Sequence, residues 1–326
     1  MTSAQIRSYP ERFIGWVPLP NWLSLLLFWE GIFLLDYLLS LRTPGGTSHL
    51  PEFGFLIFFF SLVSISMIYC SKVLHRLVAD LVLFIDHPEH QLKEWYYLKL
   101  KRSYSGLWPL LFGLAFMTAE SFTAGFSIRQ FTPAGTMLYS LRLGYELLGF
   151  FIVGVAFWAL LNVLFIPIGL TAFPIRVSVN QIPGRGLQAL RSAFFRMSMA
   201  ITITFVPLVA AAVISPLTAD MSILVWLGAG ALSIFGFFIL PQIGIHQIMA
   251  FEKQQRLLSF TVHLEEAMER SLKDPTSENM QRLKELFDLQ SHLRNMNEWP
   301  FNVNMIWQLI TALLIPLLLA MLEIFL

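Results

Sequence analysis

Three polar residues, Asn304, Gln308 and Thr311, stand at the i, i+4, i+7 spacing that gathers side chains on one face of a helix. They interrupt an otherwise apolar run, residues 301–326. On a membrane helix such amides and hydroxyls either line a wet path or bond neighbouring helices, and both roles need this register. Five carboxylates, Glu30, Asp36, Glu120, Glu146 and Glu323, fall in or beside apolar runs. Acids at membrane depth are costly, so they mark ion or proton routes unless they are paired. In the orientation derived below, Asp36, Glu120, Glu146 and Glu323 fall in the outer half. Together they predict an acidic vestibule that concentrates cations and repels anions. Glu30 falls near mid-depth and is a candidate ion or proton site. The plainer reading places these acids at the headgroups or in ion pairs, with Arg142, four residues before Glu146, as a local partner.

Other chemistries find little footing. Asp86, His87, Glu89 and His90 put four potential metal ligands around Pro88, but no second cluster accompanies them, so no metal site is expected. The single cysteine, Cys70, excludes an intrachain disulfide and reads as a small buried hydrophobe. No Gly-x-Ser-x-Gly, His-Glu-x-x-His, phosphate-binding glycine loop or Rossmann fingerprint occurs. No catalytic residue and no cofactor is therefore assigned, and the chain does not read as an enzyme. A net charge of +1 with no basic cluster away from the membrane flanks gives no reason to expect nucleic acid.

The elements that must carry these groups are membrane helices. Hydrophobic residues make up 56% of the 326, charged residues only 13%, and the mean hydropathy is +0.64. Several apolar runs reach the ~20 residues that cross a bilayer as a helix. They are continuous rather than alternating, which argues for an all-α polytopic protein and against a β-barrel. Residues 1–20 lack the pattern of a signal peptide, and there is no internal repeat. Seven spans are expected, at residues 21–41, 53–70, 106–126, 143–173, 193–214, 222–245 and 301–326.

Three regions follow. Residues 1–245 form a six-span scaffold with an amphipathic inner segment at 71–105, which should leave the bilayer, turn at Pro88 and return with Trp95, Tyr96, Tyr97 and Tyr104 at the interface. Pro167 predicts a kink in the fourth span. The sixth span should run on into a cytosolic helical hairpin, residues 246–300. Asp274 is expected to cap its second arm, with Pro275 in the first turn. Met280, Leu283, Leu286, Phe287, Leu289 and Leu293 then form an apolar stripe that suits the first arm or a neighbouring subunit. Glu298, Trp299 and Pro300 lead into the C-terminal transmembrane helix, 301–326.

Lysine and arginine placement sets the orientation. With the N-terminus cytosolic, all but Arg42, Arg129 and Arg142 of the 22 basic residues fall on inner segments, and Leu326 is external. This order is opposite to that of G-protein-coupled receptors. In topology alone it is similar to insect odorant and gustatory receptor channels, which carry cytosolic helical extensions before a final pore helix. No residue motif of that family is present. The expectation is a cation-preferring, homo-oligomeric channel of the plasma or bacterial inner membrane, lined by its last helix. The alternatives are a secondary transporter using Glu30, Asp36 or Glu120, and a non-conducting subunit docking a cytosolic partner through residues 246–300.

Overall fold

The computed structural model describes residues 7–47, 50–84, 88–132, 136–171, 173, 185–214, 221–295, 307 and 311. Among them it is all-helical, with ten helices: α1 (Tyr9–Ile14), α2 (Asn21–Arg42), α3 (Leu50–Phe84), α4 (Glu89–Tyr104), α5 (Leu107–Phe131), α6 (Met137–Leu164), α7 (Ile166–Leu170), α8 (Arg185–Ile214), α9 (Met221–Lys273) and α10 (Ser277–Arg294). Among the described residues, four stretches are long and apolar enough to cross a membrane: Asn21–Arg42, Leu50–Val82, Met137–Leu170 and Ala189–Pro207. The all-α membrane architecture read from composition therefore stands. The seventh expected span, 301–326, lies outside the described residues apart from Trp307 and Thr311.

α3 is the central post. It covers the expected span 53–70 and runs on as helix to Phe84, just short of the expected turn at Pro88, with Leu74, Leu77 and Leu81 buried along the extension. α2, α6 and α8 all pack on it. A ladder of rings ties three of them together. Trp29 of α2, fully buried, packs on Phe60 of α3 (centroids 5.5 Å apart), and Phe60 meets Phe150 of α6 edge-on at 5.3 Å. Trp29 also donates its indole N–H to Ser64 Oγ at 3.3 Å, which satisfies the one polar atom the ring carries. Gly149 makes the approach possible, since a Cβ there would lie 2.1 Å from the Phe60 ring.

α4 folds back against the C-terminal half of this post. Leu92, Tyr96, Leu100 and Tyr104 recur every four residues and are all buried, while Lys93 and Lys101 face outward. Tyr96 donates to the Leu74 carbonyl at 2.8 Å, and burial pushes its phenol well above its ordinary pKa. The expected return after Pro88 is thus present, with Pro88 preceding the first helical residue. α6 ends at Leu164 and, after Phe165, α7 restarts with Pro167 in its first turn, which places the break where proline was expected to kink the span.

α9 runs without interruption for 53 residues, about 80 Å of helix, through Pro241 and into its polar half. α10 turns back along that half as the expected hairpin. The cap differs from expectation. Thr276 caps α10, its hydroxyl accepting from Asn279 N at 3.4 Å, while Asp274 serves the turn through its carbonyl, 2.8 Å from Asn279 Nδ2. Pro275 keeps the backbone extended just before the helix, so the first residue free to cap is the threonine that follows it.

Candidate functional site

Among the described residues, the densest chemistry lies at the corner where α2, α3, α5 and α6 meet. Its centre is Arg142, on the second turn of α6, with no exposed surface at all. The helix begins at Met137 because Thr136 caps it, accepting from Tyr139 N at 3.2 Å, and this early start carries Arg142 inside the bundle. Its Nε donates to Asp36 Oδ1 at 2.9 Å and its Nη2 to Asp36 Oδ2 at 3.4 Å, the paired geometry that guanidinium and carboxylate favour. Nη2 also reaches Ser40 Oγ and the Gly46 carbonyl, each at 3.0 Å, and Nη1 reaches Thr132 Oγ1 at 3.0 Å. The Phe53 ring lies over the guanidinium, 4.0 Å from Cζ to centroid. One side chain thus binds the end of α2, the α2–α3 turn, the start of α3, the end of α5 and α6.

The turn that offers the Gly46 carbonyl depends on Gly45, whose φ of +71° is the left-handed conformation that glycine adopts without strain. Ser40, Asp36 and the guanidinium are all buried, so the two charges are matched inside one chain. Tyr145 and Glu146, also buried, flank the corner; the Tyr145 hydroxyl has no hydrogen-bond partner.

The carboxylates named in the sequence fare differently. Asp36 is fully enclosed and held by Arg142, so its charge is matched within the fold rather than turned toward an open mouth. Glu146 is 7% exposed, and Arg142 points across the bundle to Asp36 instead of along the helix to Glu146. Glu120 lies on α5 with its side chain outside the described residues, and Glu323 lies outside them altogether. Glu30 is the contrast: it sits near the middle of α2 on the exposed face, and no described residue bonds it. An acid facing hydrocarbon at the centre of a span costs roughly 2.5–3.5 kcal/mol on insertion scales. Of the polar face in 301–326, Asn304 and Gln308 lie outside the described residues. Thr311 is helical and exposed, and donates to the Trp307 carbonyl at 2.8 Å.

Other polar side chains within the apolar helices, Asn162, Thr202 and Thr204, turn back on their own helices, donating to Trp158, Ser198 and Ile201 carbonyls at 2.9, 2.9 and 2.6 Å. A cleft opens between α3, α6 and α8, lined by Phe59, Met67, Cys70, Leu160 and Phe205 among others. Its walls are apolar, so it suits hydrocarbon rather than ions. In the Pro88 turn, Asp86 and His87 lie outside the described residues, while Glu89 pairs with Lys93 and His90 approaches Glu94 at 3.7 Å. The Lys93 ammonium is held above its usual pKa by that Glu89 hydrogen bond.

No family model, curated protein or solved structure matches this chain. The functional reading therefore rests on residues and geometry alone.

The sequence reading missed the Asp36–Arg142 pair. It began the fourth span at Leu143, which left Arg142 outside the bilayer. The signal available was Thr136, a capping residue before an unbroken helical run.

Proposed function

We infer that this is a membrane channel: seven spans, N-terminus cytosolic and C-terminus external, in a plasma or bacterial inner membrane. It is homo-oligomeric and cation-preferring, with residues 301–326 lining the path and the hairpin of 246–300 joining the copies. The observation that supports assembly is the hairpin's surface. Phe251, Leu258, Val262 and Leu272 are 50%, 65%, 54% and 82% exposed. At 100° per residue they fall within one arc of α9, on the side away from Phe260, Leu264 and Ser271, the buried side against α10. Gln254, Gln255, Glu265 and Glu269 share this arc and are exposed, so the surface is apolar side chains set among polar ones, the mixed pattern of a helix face that pairs with another helix.

The same stripe favours one second reading, a non-conducting subunit whose hairpin docks a cytosolic protein. The transporter reading loses one of its acids, since Asp36 is locked to Arg142. Reconstitution decides among these. The purified protein in liposomes should pass monovalent cations, and native mass spectrometry should give a closed oligomer. A monomer with no flux overturns the channel, and recovery only with a second protein supports the subunit.

A further inference from the structure

α6 and α8 both pack on α3 but have little contact with each other, and the apolar cleft occupies the seam between them. α3 is its floor. Phe59 and Cys70, which both line it, stand eleven residues apart, about 16 Å of helix at ~1.5 Å per residue. The hydrocarbon of a bilayer is ~30 Å thick, so the cleft has the depth of one leaflet. At one end the Phe59 and Phe205 rings meet, centroids 5.9 Å apart, and close it. At the other end Cys70 is joined by Tyr104, the last residue of α4. Ala156 and Ala159 of α6 leave the width. The hydroxyls along the walls are spent on backbone: Ser66 donates to the Ala200 carbonyl at 3.2 Å and Thr204 to the Ile201 carbonyl at 2.6 Å. What remains is a slot for a hydrocarbon chain, blind at its deep end.

The end at Tyr104 is basic. Lys101 and Arg102, both exposed, lie in the last turn of α4, and no acid occurs between Trp95 and Tyr104. Glu11 faces Tyr104 from α1, but it is buried and accepts from Ser8 N and Oγ, each at 2.8 Å. The Trp158 indole N–H donates to the Arg102 carbonyl at 3.1 Å, which pins the end of α4 to the α6 wall beside Phe157, itself a lining residue. Tryptophan and tyrosine at this level suit the headgroup region, and lysine and arginine there attract anionic lipid. Apolar slot and basic end are thus joined through Tyr104, with the spacing of a lipid's chain and headgroup.

We propose that the cleft holds one acyl chain of a phospholipid from the leaflet that α4 borders, with the anionic headgroup of that lipid against Lys101 and Arg102. The lipid fills the seam that packing on α3 leaves open between α6 and α8. The proposal requires only that α3, α6 and α8 cross the membrane, so it stands apart from the channel reading.

Photolabelling tests it, with the full chain in phosphatidylcholine liposomes containing a little phosphatidylglycerol that carries a diazirine midway along one chain. Adducts should concentrate on peptides holding residues 59–70 and 153–160, and excess unlabelled phosphatidylglycerol should remove them. The same probe with a phosphatidylcholine headgroup should label these peptides about 5- to 30-fold less, the range for one or two basic groups at a membrane surface. Lys101→Gln with Arg102→Gln should erase that difference and leave the unfolding midpoint in place. Ala156→Phe fills the slot and should abolish the adducts of both probes on residues 59–70. Adducts spread over every lipid-facing helix and unmoved by the competitor overturn the proposal. Equal labelling by the two probes in the unaltered protein overturns it as well, because the slot then selects no headgroup. If Ala156→Phe does not fold, the competition in the unaltered protein decides alone.

Discussion

Asp36 and Glu30 sit six residues apart on α2 and are chemically near-identical, yet one has no exposed surface and the other faces outward. Six residues turn a helix by about 240°, so the two carboxylates point away from each other. Asp36 meets a guanidinium that four further groups hold in place. Glu30 meets no described residue. Polar groups completed within one chain build that chain, whereas those left incomplete at membrane depth specify what the chain must meet. By this criterion the Arg142 corner is architecture, and Glu30 and the hairpin stripe are where function should be sought.

The largest effect expected tests the first half of that contrast. Arg142→Met strands the Asp36 carboxylate in an enclosed site, and breaking a buried pair from one side costs about 3–5 kcal/mol. Thermal unfolding in detergent should show severe loss or no folded protein. Arg142→Met with Asp36→Leu removes both charges and should recover much of the loss, because no buried charge is left unmatched. If the single and double variants are equally poor, the corner has a role beyond pairing. Equal tolerance of both would mean that Arg142 is not enclosed as described.

Next in size is the ring ladder. Gly149→Ala places a methyl group 2.1 Å from the Phe60 ring, which must then shift away from Trp29 and Phe150. Overpacking of this kind costs about 1–3 kcal/mol. Gly144→Ala on the same helix meets nothing within 4 Å and should be silent in the same unfolding assay. The pair separates a glycine required by packing from one that is not.

Sequence alone carried the broad design because membrane helices announce themselves by length and apolar content. The return of α4 after Pro88, the break near Pro167 and the unbroken passage of α9 into its polar half all follow from local rules that proline placement and periodicity express. What sequence did not carry was partner choice. Arg142 has Glu146 one turn away, yet it selects Asp36, more than a hundred positions earlier. That selection depends on how α2 and α6 cross α3, which no local pattern encodes. Thr276, two positions past the expected cap, shows a smaller failure of the same kind: candidate caps at 274 and 276 flank Pro275, and the backbone around the proline decides between them. Thr276→Ala should cost about 1 kcal/mol and fray the start of α10, whereas Asp274→Ala should cost less, since its contact runs through the backbone carbonyl.

The smallest effect on folding should carry the largest consequence for assembly. Leu258 and Val262 lie on the exposed side of α9, opposite the buried Phe260 and Leu264 that face α10. Changing both to glutamine removes apolar surface that the single chain leaves exposed, so its stability should move by no more than about 0.5 kcal/mol. If the stripe joins copies, the oligomer should dissociate while far-ultraviolet circular dichroism and the unfolding midpoint of the protomer hold. The matching change at the buried positions, Phe260→Gln with Leu264→Gln, should instead loosen α10, detected as protease cleavage within the hairpin. An unchanged oligomer after the first pair would assign the stripe to a different partner. Loss of helix after the first pair would show that the stripe is packed within the chain, and would remove the distinction between completed and open surfaces in the hairpin.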